Sequence, residues 1–323
     1  MDFQSFEVQE NGRLDKLLTI ELQQSRNQVE QLIKEGLVLI NGEVVLKTGK
    51  KLISGDRISY KFKEVVPKEA VIVDFDVEIL YEDDVMMVIN KPSGLVVHPA
   101  PSVKEATLVD WLVQKGVSLS TISGEERHGI VHRIDKETTG ALVIAKTNEA
   151  HQKLSEQLQD KSMGRYYLAL IDYPLKSSGI VEKPIARNPN NRLKMGIVQH
   201  GKEAKSAFYK VAQNSKNIEL ILVKLFTGRT HQIRVHLESL GRHILGDALY
   251  GFKSKKDTIK RVYLHAYKLY MLHPTTGKEM EFVAPLFSDM QTYINQEFKK
   301  GEVYEKINAN LINDYFTNIT DRL

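Results

Sequence analysis

One stretch decides the fold: Gly129-Ile130-Val131-His132-Arg133-Ile134-Asp135-Lys136-Glu137-Thr138-Thr139-Gly140. Ile130 and Val131 before the acid, and the run 141–145 after it, are apolar and rich in β-branched residues, which predicts two buried strands. Residues 136–140 are polar and end in glycine, as a connecting turn does. We therefore expect Asp135 at a junction where a rigid scaffold holds the carboxylate and leaves it open to a ligand.

Two interpretations of this acid compete. Arg133 and Asp135 are two positions apart, so on one strand face they would form a surface ion pair that contributes little to stability. In the other interpretation, Asp135 is the residue that carries chemistry. The spacing alone does not decide between them.

Composition is that of a globular protein. With 323 residues and 42% hydrophobic content, the chain can bury a large core, and its length predicts two domains. A formal net charge of +4 allows a polyanionic partner without requiring one. The absence of cysteine excludes disulfides, thiolate zinc sites and a cysteine nucleophile.

The chain begins without a basic segment followed by an apolar one, and no stretch approaches the roughly 20 apolar residues of a membrane span. We therefore expect a soluble, unexported protein of the cytoplasm, acting as a monomer.

Residues 1–62 have the pattern of a separate small α/β module. An apolar stripe at helical spacing predicts a first helix, and residues 25–28 offer a capping box ahead of a second. Gly36 occupies the position of a helix C-cap glycine. The pair Asn41-Gly42 predicts a hairpin turn, and residues 57–62 predict a further strand.

The rest of the chain predicts a linker over residues 63–76, a large domain over 77–286 and a C-terminal extension over 287–323. Apolar runs in the large domain predict strands at 86–89, 142–145, 166–171, 208–211 and 218–226. Helical spacing predicts helices at 148–158 and 230–240. Since strands outnumber helices and several could form hairpins, the expected class is α+β with a mostly antiparallel sheet.

Several motifs occur in the order of one known family. Residues 132–140 resemble the signature loop of the RluA-type pseudouridine synthases, with conservative departures at Ile134, Thr139 and, in the tyrosine motif, Arg165. The family's other motifs are resembled by Asn90-Lys91-Pro92-Ser93-Gly94-Leu95-Val96-Val97-His98-Pro99, by Arg165-Tyr166-Tyr167-Leu168-Ala169-Leu170 and, for the arginine motif, by Gly228-Arg229-Thr230-His231-Gln232-Ile233-Arg234-Val235-His236-Leu237 followed by Gly246-Asp247-Ala248-Leu249-Tyr250-Gly251. The resemblance implies the pseudouridine synthase fold for 77–286, a mixed sheet with a central cleft.

The N-terminal module resembles the S4 RNA-binding domain, through residues 12–16 and 27–42. That likeness implies phosphate contacts by Arg13, Arg26, Asn27 and Lys34, which would position RNA without reading its sequence. The alternative is that these are solvated helix faces, since acids lie among them.

In the RluA-type family, a uridine in RNA leaves its stack, its N1–C1′ bond is broken, and C5 of the turned uracil is joined to C1′. No metal, nucleotide or redox cofactor is needed. The resemblance implies Asp135 as nucleophile, Tyr167 as stacking platform and aid to proton removal, and Arg234 as the partner that keeps Asp135 ionised. Arg133 would fill the gap left by the flipped base. Whether Asp135 attacks C1′ or takes a proton from C2′ to give a glycal stays open.

Further RNA contacts are expected from the arginine motif, at Arg229, His231 and Gln232. Beyond them, cations interleaved with tyrosines predict a surface that follows the RNA backbone. Its members are Arg229, Arg234, Arg242, Lys253, Lys255, Lys256, Lys260, Arg261 and Lys268, with Tyr250, Tyr263 and Tyr267.

Three alternatives accompany the preferred substrate, which is a uridine in large-subunit (23S) ribosomal RNA. A synthase of the same family could act on tRNA. A non-catalytic RNA-binding or ribosome-assembly protein could keep the fold, although Asp135, Tyr167 and Arg234 are all present. A metallohydrolase could use His132, His231, His236 and His265, but His231 and His236 are five apart rather than four.

Overall fold

The computed structural model describes residues 3–22, 24, 26–62, 72–99, 103–120, 128–253, 259–317, 319 and 323. The chain divides into two compact units, Met1–Val71 and Ile72–Leu323. Of the predicted linker over 63–76, residues 63–71 lie outside the described part. Val73 and Phe75, also in that segment, pack against a core cluster of the second unit.

The first unit is a small sheet with two helices. Its elements are β1 (Gln4–Glu7), β2 (Gly12–Arg13), α1 (Leu14–Glu21), α2 (Arg26–Lys34), β3 (Val38–Ile40), β4 (Glu43–Val44), β5 (Lys51–Leu52) and β6 (Arg57–Tyr60). The main sheet has the order β1-β6-β3-β4. Apolar faces of both helices, including Leu18 and Ile33, join Ile58 in one core. Asn41 and Gly42 both have positive φ, of 52° and 87°, as the predicted hairpin turn requires. The proposed capping box starts at Ser25, which is outside the described residues.

The second unit is built on one large sheet. Its strands are β7 (Glu78–Glu82), β8 (Met86–Lys91), β9 (Thr139–Ala145), β10 (Gly164–Asp172), β11 (Gly179–Glu182), β12 (Ile185–Arg187), β13 (Met195–Ile197), β14 (Lys205–Gln213), β15 (Ile218–Leu225), β16 (Leu264–Leu272) and β17 (Glu279–Val283). Its helices are α3 (Leu108–Gln114), α4 (Asn148–Asp160), α5 (Gln232–Glu238), α6 (Ser288–Glu297), α7 (Lys300–Lys306) and α8 (Ile312–Thr317).

The sheet has the order β11-β14-β15-β10-β16-β9-β8-β7, and β17 also pairs with β16. Only the β9–β16 pairing is parallel, with His265 opposite Thr139; the other pairings in the sheet are antiparallel. The sheet is therefore mixed and mostly antiparallel, and the predicted fold class is confirmed. Strands β12 and β13 form a separate hairpin outside this sheet.

Strand β10 shows how the sheet separates two cores. Tyr166, Leu168 and Leu170 face the cluster that receives the C-terminal helices. Tyr167, Ala169 and Ile171 alternate with them and face the cluster that holds Ile134 and α5. The pairing of β10 with β16 shifts register between Tyr166 and Tyr167, a β-bulge of the kind that re-aims a side chain.

The C-terminal extension packs onto the sheet as far as α8. Met290 and Ile294 of α6, Val303 of α7, and Ile312 and Phe316 of α8 are buried in the first of these two clusters.

The strand predicted at Ile130–Val131 is wrong. Residues 128–138 form a loop, in which Ile130 makes only an isolated bridge to Ile144 of β9. Gly129 bends the chain at φ 68°, and a side chain there would lie 2.6 Å from the carbonyl oxygen of Ala145. The loop therefore crosses the end of β9 closely instead of pairing along it.

Candidate active site

Asp135 lies in the loop that leads into β9, and a buried lysine holds this loop in place. The Nζ of Lys91, at the end of β8, donates to the carbonyl oxygens of Pro92 (2.8 Å), Leu95 (2.8 Å) and Lys136 (3.0 Å). Three acceptors match the three N–H groups of an ammonium, although burial lowers the pKa of Lys91 to about 7. We favour the charged form on this geometry. The residue that follows Asp135 is thereby tied to the sheet.

Arg234, on α5, joins two carboxylates. Its Nη1 donates to Oδ2 of Asp135 at 3.3 Å, while its Nε and Nη2 donate to Oδ2 and Oδ1 of Asp247 at 2.6 and 2.7 Å. Burial disfavours the charge of Arg234, but the hydrogen bonds and charges of Asp247 and Asp135 raise its pKa overall. The guanidinium is therefore a permanent cation at the carboxylate of Asp135.

The ring of Tyr250 packs against the guanidinium of Arg234. Its ring centroid lies 4.7 Å from Cζ of Arg234, a cation–π contact. Its phenol oxygen accepts from the amide of Met195 at 2.9 Å and lies 2.8 Å from Nδ1 of His231. Burial raises the pKa of Tyr250 to about 12. The phenol is therefore a neutral structural group at physiological pH.

His231 lies beside Asp135, with 3.9 Å between its Nε2 and Oδ2 of Asp135. Burial lowers the pKa of His231. Its backbone has φ 56°, and α5 begins only at the next residue, later than the predicted start at 230. This turn brings the imidazole and the loop 228–230 to the cleft.

Tyr167 reaches the same cleft from β10. Its side chain is buried, and burial raises its pKa, an effect that the charge of Arg165 opposes. Tyr166 faces the opposite side of the sheet. The structure thus brings Tyr167 together with Asp135 and Arg234, while its neighbour belongs to a core.

Asp135, Tyr167, His231 and Arg234 line one cleft. Arg133, Arg165 and Leu264 complete its walls. Arg133 is exposed and makes no ion pair with Asp135, whose partner is Arg234. The interpretation of Arg133 and Asp135 as a surface ion pair is therefore wrong.

The remaining predicted RNA contacts of the arginine motif differ in exposure. Arg229 lines the cleft and donates through Nε to the carbonyl oxygen of Glu203. Gln232 is buried; its oxygen accepts from Thr227 and from the amide of Arg229, and its nitrogen donates to Lys205 and Ser206. Its amide has no spare donor, so its position favours support of the turn at 228–231 over contact with RNA.

Three of the predicted contacts of the S4-like unit, Arg13, Arg26 and Lys34, lie on its surface. Arg13 donates to Asp15 through Nε and Nη2, at 3.1 and 2.8 Å. Arg26 is 69% exposed and pairs with Glu30 at 3.2 Å; Lys34 is 65% exposed and pairs with the same acid at 3.5 Å. Asn27 lies in α2. Acids thus share the surface with each of these three cations.

The stretch predicted to form a continuous basic surface does not form one. Arg234, Arg261 and Lys268 are buried. They form ion pairs with Asp247, Asp289 and Glu281 respectively. Tyr250 and Tyr263 are buried as well, and Lys255 and Lys256 lie outside the described residues. These three cations are close together in sequence, but each is buried and forms an ion pair with its own acid instead of joining a basic surface.

The histidines of the metallohydrolase alternative do not converge. His236 is bonded to Ser206 and to the carbonyl oxygen of Lys183, and His265 to Thr139 and to the carbonyl oxygen of Ala284. Throughout the described ranges, no group of three or more metal-ligating side chains has a geometry that could hold an ion. The helices in those ranges also include none long and apolar enough to span a membrane.

Asp247 and Lys91 had no predicted role, and Tyr250 was predicted only as a tyrosine of the surface that follows the RNA backbone. All three lie inside the quoted motifs. For Asp247 and Tyr250, the available signal was the motif Gly246–Gly251, in which an acid and an aromatic residue lie three positions apart shortly after the arginine motif. For Lys91, the sequence did not indicate that the side chain is buried.

Known proteins of similar sequence share this architecture. A profile of the RNA pseudouridylate synthase family matches residues 85–239, and one of the S4 domain matches residues 12–58. An uncharacterized RNA pseudouridine synthase of Helicobacter pylori (strain J99) is 47% identical over 309 residues, covering 93% of this chain and 94% of its own. The ribosomal large subunit pseudouridine synthase D of Zymomonas mobilis is 40% identical over 291 residues, covering 86% and 92%.

Among solved structures, human RNA pseudouridylate synthase domain containing 1 superposes with a TM-score of 0.54 at 24% identity, covering 68% of this chain and 86% of that one. This likeness concerns the fold. Together with the sequence relatives, it establishes that the chain belongs to the RNA pseudouridine synthase family, enzymes that isomerise uridine in RNA, and that it carries an N-terminal S4 domain.

Proposed function

We propose that this enzyme converts uridine to pseudouridine in large-subunit ribosomal RNA, with Asp135 acting as nucleophile on a flipped-out nucleotide. One observation carries the proposal. The carboxylate of Asp135, 17% exposed in the cleft, accepts a hydrogen bond of 3.3 Å from the buried guanidinium of Arg234. A carboxylate that is held in place and open on one side suits attack at a sugar carbon.

The ion pairs of Arg234 favour a reactive Asp135. Asp247 takes the two short hydrogen bonds of Arg234, so the arginine is already compensated before Asp135 is counted. Within this trio, two carboxylates and one guanidinium leave one net negative charge. The longer contact to Asp135 orients its carboxylate without neutralising it.

The proposed reaction balances within the substrate. A carboxylate oxygen of Asp135 bonds to C1′ as the C1′–N1 bond breaks, and uracil keeps that electron pair. After the base turns, C5 bonds to C1′ and the carboxylate leaves. C5 loses its proton and N1 gains one, so the product is an isomer and the reaction consumes no cofactor.

We assign Tyr167 to the uracil. Its ring forms a wall of the cleft on which a base can stack. Burial raises the pKa of Tyr167, which opposes its acting as a base toward C5, and the charge of Arg165 counteracts that shift. In this proposal, Tyr167 and Arg165 therefore both act on the flipped-out uracil.

We assign Arg133 to the vacated stack in the RNA. It is exposed, lines the cleft beside Asp135, and is not paired with that acid. A planar cation without a carboxylate partner can stack between neighbouring bases. Arg229 and His231 would contact nucleotides at the same opening.

The choice of ribosomal RNA rests on two supports. The Zymomonas mobilis relative is named as a large-subunit enzyme, and the S4 domain offers the exposed residues Arg26 and Lys34 for phosphates. We further propose that residues 1–62 form the RNA-binding domain, 77–286 the catalytic domain and 287–323 its extension, and that the enzyme works as a cytoplasmic monomer.

The test offers the purified enzyme large-subunit rRNA and tRNA transcripts and maps pseudouridine by carbodiimide-dependent primer-extension stops. We expect stops in the rRNA for wild type and none for Asp135→Asn. Asp160→Asn makes the same chemical change on the exposed end of α4 and should retain activity. No product with either RNA would refute the enzyme assignment, product only in tRNA would refute the substrate, and full activity of Asp135→Asn would refute the nucleophile.

A further inference from the structure

A second groove adjoins the active-site cleft. It lies between the hairpin β12–β13, the bend at His200–Lys202 and the loop Gly228–Thr230. The loop residues line both the groove and the cleft, so the two adjoin at this loop. An RNA strand that places a nucleotide in the cleft has this groove as its path onward.

The groove is positively charged. Arg187, Lys202 and Arg229 line it, and among the described residues along its walls none is acidic. Arg187 donates through Nη1 to the carbonyl oxygen of Arg192, and Arg229 donates through Nε to that of Glu203, so neither bond removes a charge. Carbonyl acceptors fix the direction of a guanidinium and leave its other N–H groups for an anion.

Nearby lysines behave differently. Lys194 on the same hairpin pairs with Glu238, and Lys205 just beyond the bend pairs with Glu182. For Arg187, Lys202 and Arg229, by contrast, no ion pair with any described carboxylate is found. The charges of these three side chains are therefore available to an anion.

The hairpin wall is held at a fixed position relative to the catalytic residues. The amide of Met195 in β13 donates to the phenol of Tyr250, whose ring supports Arg234. On the other side of the hairpin, Ile185 and Lys202 exchange two backbone hydrogen bonds of 2.9 Å. Gly201 permits this approach, because a side chain there would lie 2.6 Å from the backbone of Ile185. The groove is therefore preorganised with respect to Asp135.

We infer that this groove binds the phosphodiester backbone of the single strand flanking the target uridine, with phosphates at Arg187, Lys202 and Arg229. The inference rests on the proposed function and extends it, since it names the surface that holds the neighbouring nucleotides. Contacts to the backbone give affinity and register without sequence selection. Selection of the site then depends on the shape of the RNA and on the pocket itself.

The test compares the double variant Arg187→Gln/Lys202→Gln with Lys153→Gln/Lys278→Gln, which removes the same charge from exposed positions outside the groove. Binding to the substrate RNA is measured by fluorescence anisotropy from 50 to 300 mM KCl, with no turnover required. We expect the groove variant to bind roughly tenfold more weakly at moderate salt, and its log–log salt slope to fall by about 1.4, since each phosphate contact on single strands contributes about 0.7. The control pair should match wild type.

Affinity and salt slope equal to those of the control would overturn the inference. If the groove variant melts early, wild-type protein still decides: 4-thiouridine placed one or two nucleotides from the target should crosslink to peptides within 185–202. Crosslinks found only elsewhere also overturn it. Absence of pseudouridine with wild type refutes the proposed function instead, because binding and crosslinking are measured independently of the product.

Discussion

Arg234 binds Asp247 through two hydrogen bonds of 2.6 and 2.7 Å, and both side chains are almost completely buried. The remaining Nη1 is the group that reaches Asp135. The orientation of the cleft carboxylate thus depends on an acid that does not face the cleft opening. Asp247 is therefore a positioning residue, and its replacement should change the position of the Asp135 carboxylate.

Replacing Asp247 with Asn should impair both stability and catalysis. Breaking a buried ion pair costs about 3–5 kcal/mol of unfolding free energy, and a misplaced arginine should lower the saturating single-turnover rate roughly 100-fold. Urea unfolding and rapid-quench assays measure the two effects. Asp289→Asn breaks a pair of similar bond lengths with Arg261, in which the acid is partly exposed, and should reduce stability by less, with little change in the rate. Equal rate losses in both variants would refute the positioning role.

Tyr167→Phe separates the ring from the phenol. The ring still forms the wall of the cleft, so RNA affinity should stay within about twofold, whereas loss of an assisting phenol should lower the rate roughly 10²- to 10⁴-fold. Because burial raises the pKa of Tyr167 above its ordinary value, the wild-type rate should show no tyrosine-dependent change up to about pH 10. A Phe variant with the wild-type rate would leave Tyr167 only its stacking role.

Lys91→Met tests whether the buried lysine positions the catalytic loop. The apolar side chain leaves three carbonyl oxygens without their donor, which should cost about 1–3 kcal/mol of unfolding free energy and lower the rate by displacing the residues around Asp135. Lys146→Met is the matched change, since Lys146 binds Glu82 and the carbonyl oxygen of Asp83 at the opposite end of β9 from Asp135. It should lose stability without the same loss of rate; identical profiles for the two variants would argue against a special role of Lys91.

Acid should destabilise the fold through its buried histidines. Burial lowers the pKa of His132 to about 3 and those of His236 and His265 to about 4. The folded protein keeps them neutral, while the unfolded chain binds protons near pH 6.5. Stability is therefore complete above pH 6.5 and falls as the pH drops toward 4, by up to about 1.4 kcal/mol per pH unit for each histidine.

Urea unfolding at pH 7, 6, 5 and 4.5 measures that slope. His132→Asn removes one of the three groups, so its slope should be smaller by roughly 1.4 kcal/mol per pH unit. The exposed His200 provides the comparison, and His200→Asn should leave the slope unchanged. If the His132→Asn variant has the same slope as the wild type, then His132 has the same pKa in the folded and the unfolded protein.

Sequence periodicity predicted most strands of the sheet. Residues 86–89, 142–145 and 166–171 each lie within an observed strand, because apolar runs buried on both faces are continuous in sequence. It failed at Ile130–Val131, where the residues are as apolar as a strand but a glycine turn directs the chain across β9. A local sequence pattern cannot show that Gly129 lies against the distant residue Ala145.

The basic stretch shows the same limit for function. Arg234, Arg261 and Lys268 look like surface cations in sequence, yet each pairs with an acid that tertiary structure supplies. Conversely, Arg187 and Lys202 drew no attention in sequence, because hairpin β12–β13 and the bend beside it must fold before their side chains line one groove.

The sequence by itself determined the family and the α+β class and predicted Asp135, Tyr167 and Arg234 for the cleft, because short motifs place characteristic residue types within a few neighbouring positions. Only the tertiary structure decided which partner each charge has. Asp135 is joined to Arg234 across 99 positions of the chain, and Arg133 is left without Asp135 for that reason. Distances across such separations are set by how the strands pair and the loops close, and no local pattern encodes them.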